Sequence, residues 1–388
     1  MLSISKLYLG NEEYGDILRY KETRSVYKKP IVVWNLTSRC NLTCEHCYAN
    51  AAHFAKNTDE LSTQEGKTLI DDLAAFNVPV LLFSGGEPLA RKDILELLSY
   101  ASSKGLRTVL SSNGTLIDEE KARYLKRIGI SYIGISVDGN EQTHDSFRHK
   151  KGAFQETMRG IRISLNAGLK VGLRFTMNKK NASDIDYIFN LVEQEGIHRI
   201  CFYHLIPSGR GASIRELELN IEEKRKVMDQ IINRTTEIYS KSNRTEILTV
   251  ANHCDGIYLY LRMKKENHPD AEKILSFLRR NSSDSSGIGI SSINWNGEVY
   301  PDQFWRNRIL GNIRQEKFSE IWDSSKNEFM NKLLNRRKFI KGRCSRCHYL
   351  EICGGNFRSR SEYITGDTWA SDPGCYLYDA EISGASSK

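Results

Sequence analysis

From Pro30 to His204 the chain repeats one pattern, a short β-branched or aromatic run followed by an amphipathic stretch with helical spacing. The strand-like runs are Ile31–Leu36, Val80–Ser84, Arg107–Ser111, Tyr132–Val137, Lys170–Thr176 and Arg199–Leu205. Between them, Thr63–Phe76, Lys92–Lys104, Glu119–Ile128, Phe154–Ala167 and Ser183–Glu195 carry the helical period. In the first of these, Leu69, Ile70, Leu73 and Phe76 share a face, and Ser62 with Glu65 forms a capping pattern. Six strands alternating with helices predict a parallel α/β sheet with right-handed crossovers. An open six-unit partial barrel and a doubly wound sheet both satisfy that string.

After His204 the pattern changes. Residues 215–287 are polar, charge-rich and helical in period, ending in the linker-like Asn281–Gly287. Beyond lie short strand-like runs, Ile288–Ile293 and Glu298–Tyr300, around the hairpin dipeptide Asn296-Gly297, and then a helix over Asp323–Asn335. The expected organisation is an N-terminal segment (1–29), an α/β unit (30–214), a helical connecting region (215–287) and a C-terminal α+β unit (288–388). At 388 residues the chain is long enough to bury a sizeable core.

A mean hydropathy of −0.49 and strand-sized apolar runs argue against a membrane span, which needs about 20 apolar residues. The first ten residues show no basic stretch followed by an apolar one. The expectation is a cytoplasmic, reducing setting. The net charge of +8 is modest and spread along the chain, so it suits a small polycarboxylate ligand as well as nucleic acid.

Nine cysteines in such a setting point to metal or redox chemistry rather than disulfides. Cys40, Cys44 and Cys47, spaced C-x3-C-x2-C, follow the first strand. Three thiolates from one loop suit an iron–sulfur cluster with one open iron; a zinc site borrowing His46 or His53 is the alternative. Cys344, Cys347, Cys353 and Cys375 supply four soft ligands, for which spacing does not separate zinc from iron–sulfur. Cys201 and Cys254 stand alone and read as ordinary core or pocket thiols.

Polar residues recur where the parallel strands end, the place α/β folds build their sites. They are Ser84-Gly85-Gly86-Glu87-Pro88, Ser111-Ser112-Asn113-Gly114 and Ser136-Val137-Asp138-Gly139. Together with the loop Cys40–Tyr48, these segments resemble the radical S-adenosylmethionine (SAM) superfamily over roughly residues 30–205. The resemblance implies a partial (β/α)6 TIM-like barrel and a [4Fe–4S] cluster held by Cys40, Cys44 and Cys47. Its open iron would bind SAM and cleave it to a 5′-deoxyadenosyl radical. It also implies that Gly85, Gly86 and Glu87 hold the methionine amine. Ser111, Asn113, Ser136, Arg148 and Arg174 would then contact ribose or carboxylate. An external electron donor such as ferredoxin or flavodoxin is expected.

The C-terminal cysteines resemble the SPASM/twitch extensions of that superfamily, which carry auxiliary [4Fe–4S] clusters. Where a two-cluster extension has further cysteines, this chain has Ser282–Gly287, Asp302 and Phe357. One auxiliary cluster, held by Cys344, Cys347, Cys353 and Cys375, is therefore expected. Further segments, among them Gly172–Thr176, Tyr203-His204, Pro301–Trp305 and Asp372–Tyr376, resemble the enzymes of siroheme-dependent heme and heme d1 biosynthesis. These act on 12,18-didecarboxysiroheme, either removing two acetates to give Fe-coproporphyrin III or replacing propionates with oxo groups. A peptide-modifying member of the superfamily is the alternative. For such a macrocycle Arg174, Arg210 and Arg306 are candidate carboxylate partners, and Tyr203, Phe304 and Trp305 candidate flat surfaces. His204 is the candidate iron ligand or proton donor.

Overall fold

The computed structural model describes residues 1–9, 29–52, 59–241, 244–281, 284–323 and 327–383. Most of the expected N-terminal segment, together with His53, Ser282 and Ser283, lies outside the described residues. Eleven strands form one sheet: β1 (Leu2–Ser3), β2 (Ile31–Asn35), β3 (Leu81–Ser84), β4 (Thr108–Ser112), β5 (Tyr132–Ser136) and β6 (Val171–Met177), then β7 (Arg199–His204), β8 (Glu246–Val250), β9 (Ile290–Ile293), β10 (Glu298–Tyr300) and β11 (Gly311–Asn312). Their spatial order is β1-β8-β7-β6-β5-β4-β3-β2-β9-β10-β11. From β2 to β8 each strand pairs in parallel with its successor. A doubly wound sheet reverses its order at a switch point, and this one never does. The barrel-type winding is therefore the one adopted.

All six expected barrel strands are present, within one residue at either end. The helices Thr63–Ala75, Ile94–Ser103, Glu119–Arg127, Ala153–Asn166 and Ile185–Glu195 lie between them. Ser62 and Glu65 close the capping box on the first. Strand residues alternate between two environments, as the period of two demands. Trp34, Phe83, Leu110, Ile133, Ile135, Leu173, Phe175, Ile200 and Phe202 are fully buried on the helix-facing side. The opposite face carries Ser111, Tyr132, Arg174, Cys201 and Tyr203, with Gly134 and Gly172 paired between them.

The stretch 215–287 does more than connect. Its helices Ile221–Ser240, Cys254–Lys265 and Ala271–Asn281 were expected, but Glu246–Val250 adds a seventh parallel strand beside β7. At the other flank β9 pairs in parallel with β2, and the β9–β10 hairpin turns through Asn296-Gly297 with Gly297 at φ +86°. The C-terminal unit thus continues the barrel sheet. Asp284 and Ser286 are buried, so the final residues of the expected linker belong to the core of that unit. Among the described residues no helix is long and apolar enough to cross a membrane.

Candidate functional site

Cys40, Cys44 and Cys47 sit together with Leu42 and Ala153 in a small apolar cluster just past the end of β2. The loop is held from several sides. Gly86 N donates to Thr37 O at 2.7 Å and Glu87 N to Arg39 O at 2.9 Å. A Cβ on Gly86 would stand 2.0 Å from Arg39 O, so glycine is what lets the β3 loop lie against the cysteine loop. Arg210 donates from Nε to Cys44 O (2.7 Å) and from Nη1 to Ala51 O (2.6 Å). Those bonds make Arg210 a clamp on this loop through Nε and Nη1.

The strand-end residues converge on the same loop. Glu87 is fully buried, and its carboxylate accepts from Ser112 Oγ (2.8 Å), Asn113 N (2.7 Å) and Leu89 N (3.1 Å). Burial pushes its carboxyl up, against those donors. Glu87 therefore ties the end of β3 to the end of β4, with acceptor capacity left on Oε2. Asn113 Nδ2 donates to Asn41 Oδ1 at 2.8 Å and lies 3.9 Å from Cys40 Sγ. Ser136 ends β5 partly exposed, in register with Arg174 of β6.

Arg148 belongs to the helix Glu141–Arg148, whose N-cap is Asn140. Its Nε pairs with Asp138 Oδ2 at 2.6 Å and its Nη1 lies 3.4 Å from Cys44 Sγ, while Nη2 is buried without a hydrogen-bond partner. Burial opposes the Asp138 carboxylate, yet Arg148 and His46 outweigh it and hold its carboxyl below the usual range. His46, which a zinc site would borrow, directs Nε2 to Asp138 Oδ1 at 3.3 Å.

The three thiols fit a cluster on chemical grounds. Burial, followed by Glu87, pushes the Cys40 thiol up to about 12, and burial raises Cys44 as well. Such thiols ionise only when a cation shares their pocket. Donors already aim at the sulfurs: Leu42 N at Cys40 Sγ (3.4 Å) and Arg148 at Cys44. The unpartnered Nη2 beside them suits an anionic group on a molecule bound there. Among the described residues no three His, Cys, Asp or Glu side chains close up as a single-ion site.

The second set forms a recess lined by Cys344, Cys347, Cys353 and Cys375, with Arg343 and Asn356 on its wall. Tyr349 N points at Cys347 Sγ (3.4 Å) and Arg343 Nη1 at Cys375 Sγ (3.4 Å). The Cys375 loop is fixed by the fully buried Arg360–Asp372 pair, whose two bonds measure 2.8 and 2.7 Å. Cys254 lines this recess too. Sequence spacing had left it an ordinary thiol; only the packing of helix Cys254–Lys265 brings it there.

The positions lacking cysteine also meet in space, around a polar knot. Ser286 Oγ bonds to Asp284 Oδ1 at 2.7 Å and to Asp302 Oδ2, and Arg336 pairs with Asp284 at 3.2 Å. Phe357 packs edge-on against Phe304, ring centroids 6.0 Å apart. Asp302 spends Oδ1 on Phe304 N and Trp305 N (2.7 and 3.0 Å).

Inside the barrel Arg174 donates to Ser111 Oγ and, among the described residues, pairs with no carboxylate. Gly134 makes room for it, because a Cβ there would lie 2.5 Å from its Nε. Arg306 sits over Trp295 with Nη1 buried and unpartnered. Tyr203 and Phe304 are partly exposed. Trp305 is fully buried with its Nε1 on Glu362 Oε2 (3.1 Å), so it is core and offers no face to a ligand. His204 is 5% exposed, with Nε2 3.1 Å from Asp255.

Comparison with known proteins agrees with this layout. Residues 34–192 match the radical SAM superfamily, and residues 287–348 match SPASM, an iron–sulfur cluster-binding domain. The chain is 51% identical to the Fe-coproporphyrin III synthase of Methanosarcina barkeri, covering 98% of this chain and 99% of that one. It is 37% identical to the pre-heme d1 synthase of Dinoroseobacter shibae, covering 92% and 88%. Among solved structures, Streptococcus suis SuiB bound to its precursor peptide shares the fold, with a TM-score of 0.71 at 15% identity, covering 91% and 77%.

Proposed function

The chain belongs to the radical SAM superfamily, and from that premise we propose that it removes the two acetate side chains of 12,18-didecarboxysiroheme to give Fe-coproporphyrin III. The observation that carries this reading is the end-to-end 51% identity to a protein of that activity, against 37% to a pre-heme d1 synthase. The enzyme has a [4Fe–4S] cluster, SAM and one auxiliary [4Fe–4S] cluster as its cofactors. When bound, the first cluster and SAM supply one-electron chemistry that ends in hydrogen abstraction from the substrate.

The chain's own residues set the geometry for that chemistry. Cys40, Cys44 and Cys47 hold the first cluster; Cys344, Cys347, Cys353 and Cys375 hold the auxiliary one. Gly85, Gly86 and Glu87 shape the wall where the SAM amine rests, and Glu87 fixes Asn113 beside it. Arg148, charged and with Nη2 unspent, receives the SAM carboxylate; Ser111, Asn113 and Ser136 line the ribose side. Arg174 and Arg306 meet the carboxylates of the macrocycle, while Tyr203 and Phe304 offer it apolar surface. His204 acts as a positioning residue through Asp255. A cytoplasmic setting with a ferredoxin or flavodoxin as electron donor completes the reading.

The test is mass analysis of the macrocycle after anaerobic incubation with SAM, dithionite and 12,18-didecarboxysiroheme. Loss of both acetates supports the reading. Loss of propionates assigns the pre-heme d1 reaction instead, and an unchanged macrocycle beside active SAM cleavage rejects a tetrapyrrole substrate. A Cys44→Ala variant should form no 5′-deoxyadenosine.

A further inference from the structure

Four thiolates are enough for the four irons of the auxiliary cluster, yet five cysteines line its recess. The fifth is Cys254, which is 1% exposed and opens the helix Cys254–Lys265. It faces the same recess as Cys375.

The segments that carry the two cysteines are tied together from both sides. Asn252 Oδ1 accepts from Cys254 Sγ at 3.0 Å and from Asn356 Nδ2 at 2.6 Å, while its Nδ2 donates to Gly374 O at 2.9 Å. One amide thus fixes Cys254, the turn after Cys353 and the residue before Cys375. On the far side Tyr376 Oη donates to Asp255 Oδ1 at 2.7 Å, joining the residues next in chain to the two cysteines. Cys375 is partly exposed and Cys254 buried.

We infer that Cys254 is an alternative ligand of the auxiliary cluster, able to take the iron corner that Cys375 holds. The exchange breaks the iron–sulfur bond to Cys375 and forms one to Cys254. The proton leaving Cys254 passes to the departing Cys375 thiolate, and no electron moves. Arg343 Nη1 lies 3.4 Å from Cys375 Sγ, where it can donate to that sulfur. The inference rests on the four-cysteine set holding a four-iron cluster and not on the identity of the substrate.

The experiment is anaerobic reconstitution with iron counting, electron paramagnetic resonance and Mössbauer spectroscopy, and far-UV circular dichroism to establish folding. Wild-type protein should hold about eight irons, two four-iron clusters. About four in the wild type would remove the auxiliary cluster itself, and with it this inference. Three thiolates suffice for a four-iron cluster with one open iron, so the fourth corner is what decides. Cys375→Ala should keep about eight irons with four-sulfur ligation of its auxiliary cluster. The Cys254→Ala/Cys375→Ala double variant should show an auxiliary iron without a sulfur ligand from the protein, or no auxiliary cluster. Folded Cys375→Ala holding only about four irons overturns the inference. Cys375→Ser answers the same question without shortening the side chain. All-sulfur ligation of its auxiliary cluster supports exchange, and an oxygen-ligated iron or a missing cluster overturns it.

Discussion

His204 Nε2 lies 3.1 Å from the Asp255 carboxylate, and the His204 ring stacks on Tyr376 with centroids 6.2 Å apart. This places the C-terminal end of β7 in contact with both chain segments at the auxiliary recess, since Asp255 is next to Cys254 and Tyr376 next to Cys375. Asp255 is fully buried. Burial opposes its charge, but His204 outweighs it and holds the carboxyl below its usual range. Losing a buried hydrogen bond to a charged group costs about 1.5–3 kcal/mol, and Tyr376 would remain as a donor to the Asp255 carboxylate. His204→Ala should therefore lower the thermal midpoint and auxiliary-cluster content together. His204→Gln, which can still donate to Asp255, should recover most of both. A glutamine variant with normal stability and iron but no turnover would instead put His204 in contact with the substrate.

The close approach at Gly86 makes a second expectation. Its missing Cβ would meet a backbone carbonyl, Arg39 O, at 2.0 Å, and a backbone atom has no rotamer to yield. Overpacking of this kind costs about 3 kcal/mol or more at the top of its usual range. Gly86→Ala should displace the residue before Cys40 and cut the iron bound by the first cluster, read as visible absorbance after reconstitution. The auxiliary cluster should survive.

These two sites show unevenly how far the sequence alone reaches. The barrel strands were legible because β-branched runs alternate cleanly with helical faces, and the cysteine loop because its spacing is local. Strand β8 was not: Glu246–Val250 is five residues inside a charge-rich stretch, and pairing with β7, not its own pattern, makes it a strand. Cys254 lies 90 residues from the nearest cysteine of the C-terminal set, so no spacing connects them. Trp305 and Arg210 carry suitable chemistry at plausible places, and only burial and hydrogen bonding show that both are already engaged.

Arg174 is the barrel cation that Gly134 makes room for. A hydrogen bond from a charged group contributes about 1.5–3 kcal/mol, which converts to roughly a 10- to 100-fold effect. Arg174→Ala should raise KM for the tetrapyrrole by about that factor. Lysine should restore little of it, since it lacks the fork that binds a carboxylate through two parallel bonds. An unchanged KM would remove Arg174 from the substrate contacts and leave it the bond to Ser111 beside Gly134.

The polar knot at Asp302 makes a pH-dependent expectation. Ser286 has one hydroxyl proton, and it bonds to Asp284 Oδ1 at 2.7 Å, so the contact between Ser286 Oγ and Asp302 Oδ2 is best made by a protonated Asp302. Burial, followed by the Asp284 charge, pushes the Asp302 carboxyl up to about 7. A folded-state value raised above the unfolded value of about 3.9 means that the folded protein binds the extra proton. The stability from this group is therefore full below about pH 4 and is lost as pH rises through about 7. Asp302→Asn mimics the protonated acid at every pH: its carbonyl still accepts from Phe304 and Trp305 N–H, and its amide donates to Ser286. The variant's advantage over wild type should be on the order of 2–3 kcal/mol greater at pH 8 than at pH 5. Thermal unfolding should show this as a gap of several degrees that closes on acidification. Other charges face the knot. Arg336 stays cationic throughout, and His253, held down to about 3 chiefly by burial, loses stability as pH falls. Both act alike in the two proteins, so the difference between them isolates Asp302. An offset that does not change with pH would mean that Asp302 is ionised in the fold and that the serine proton is directed to it instead.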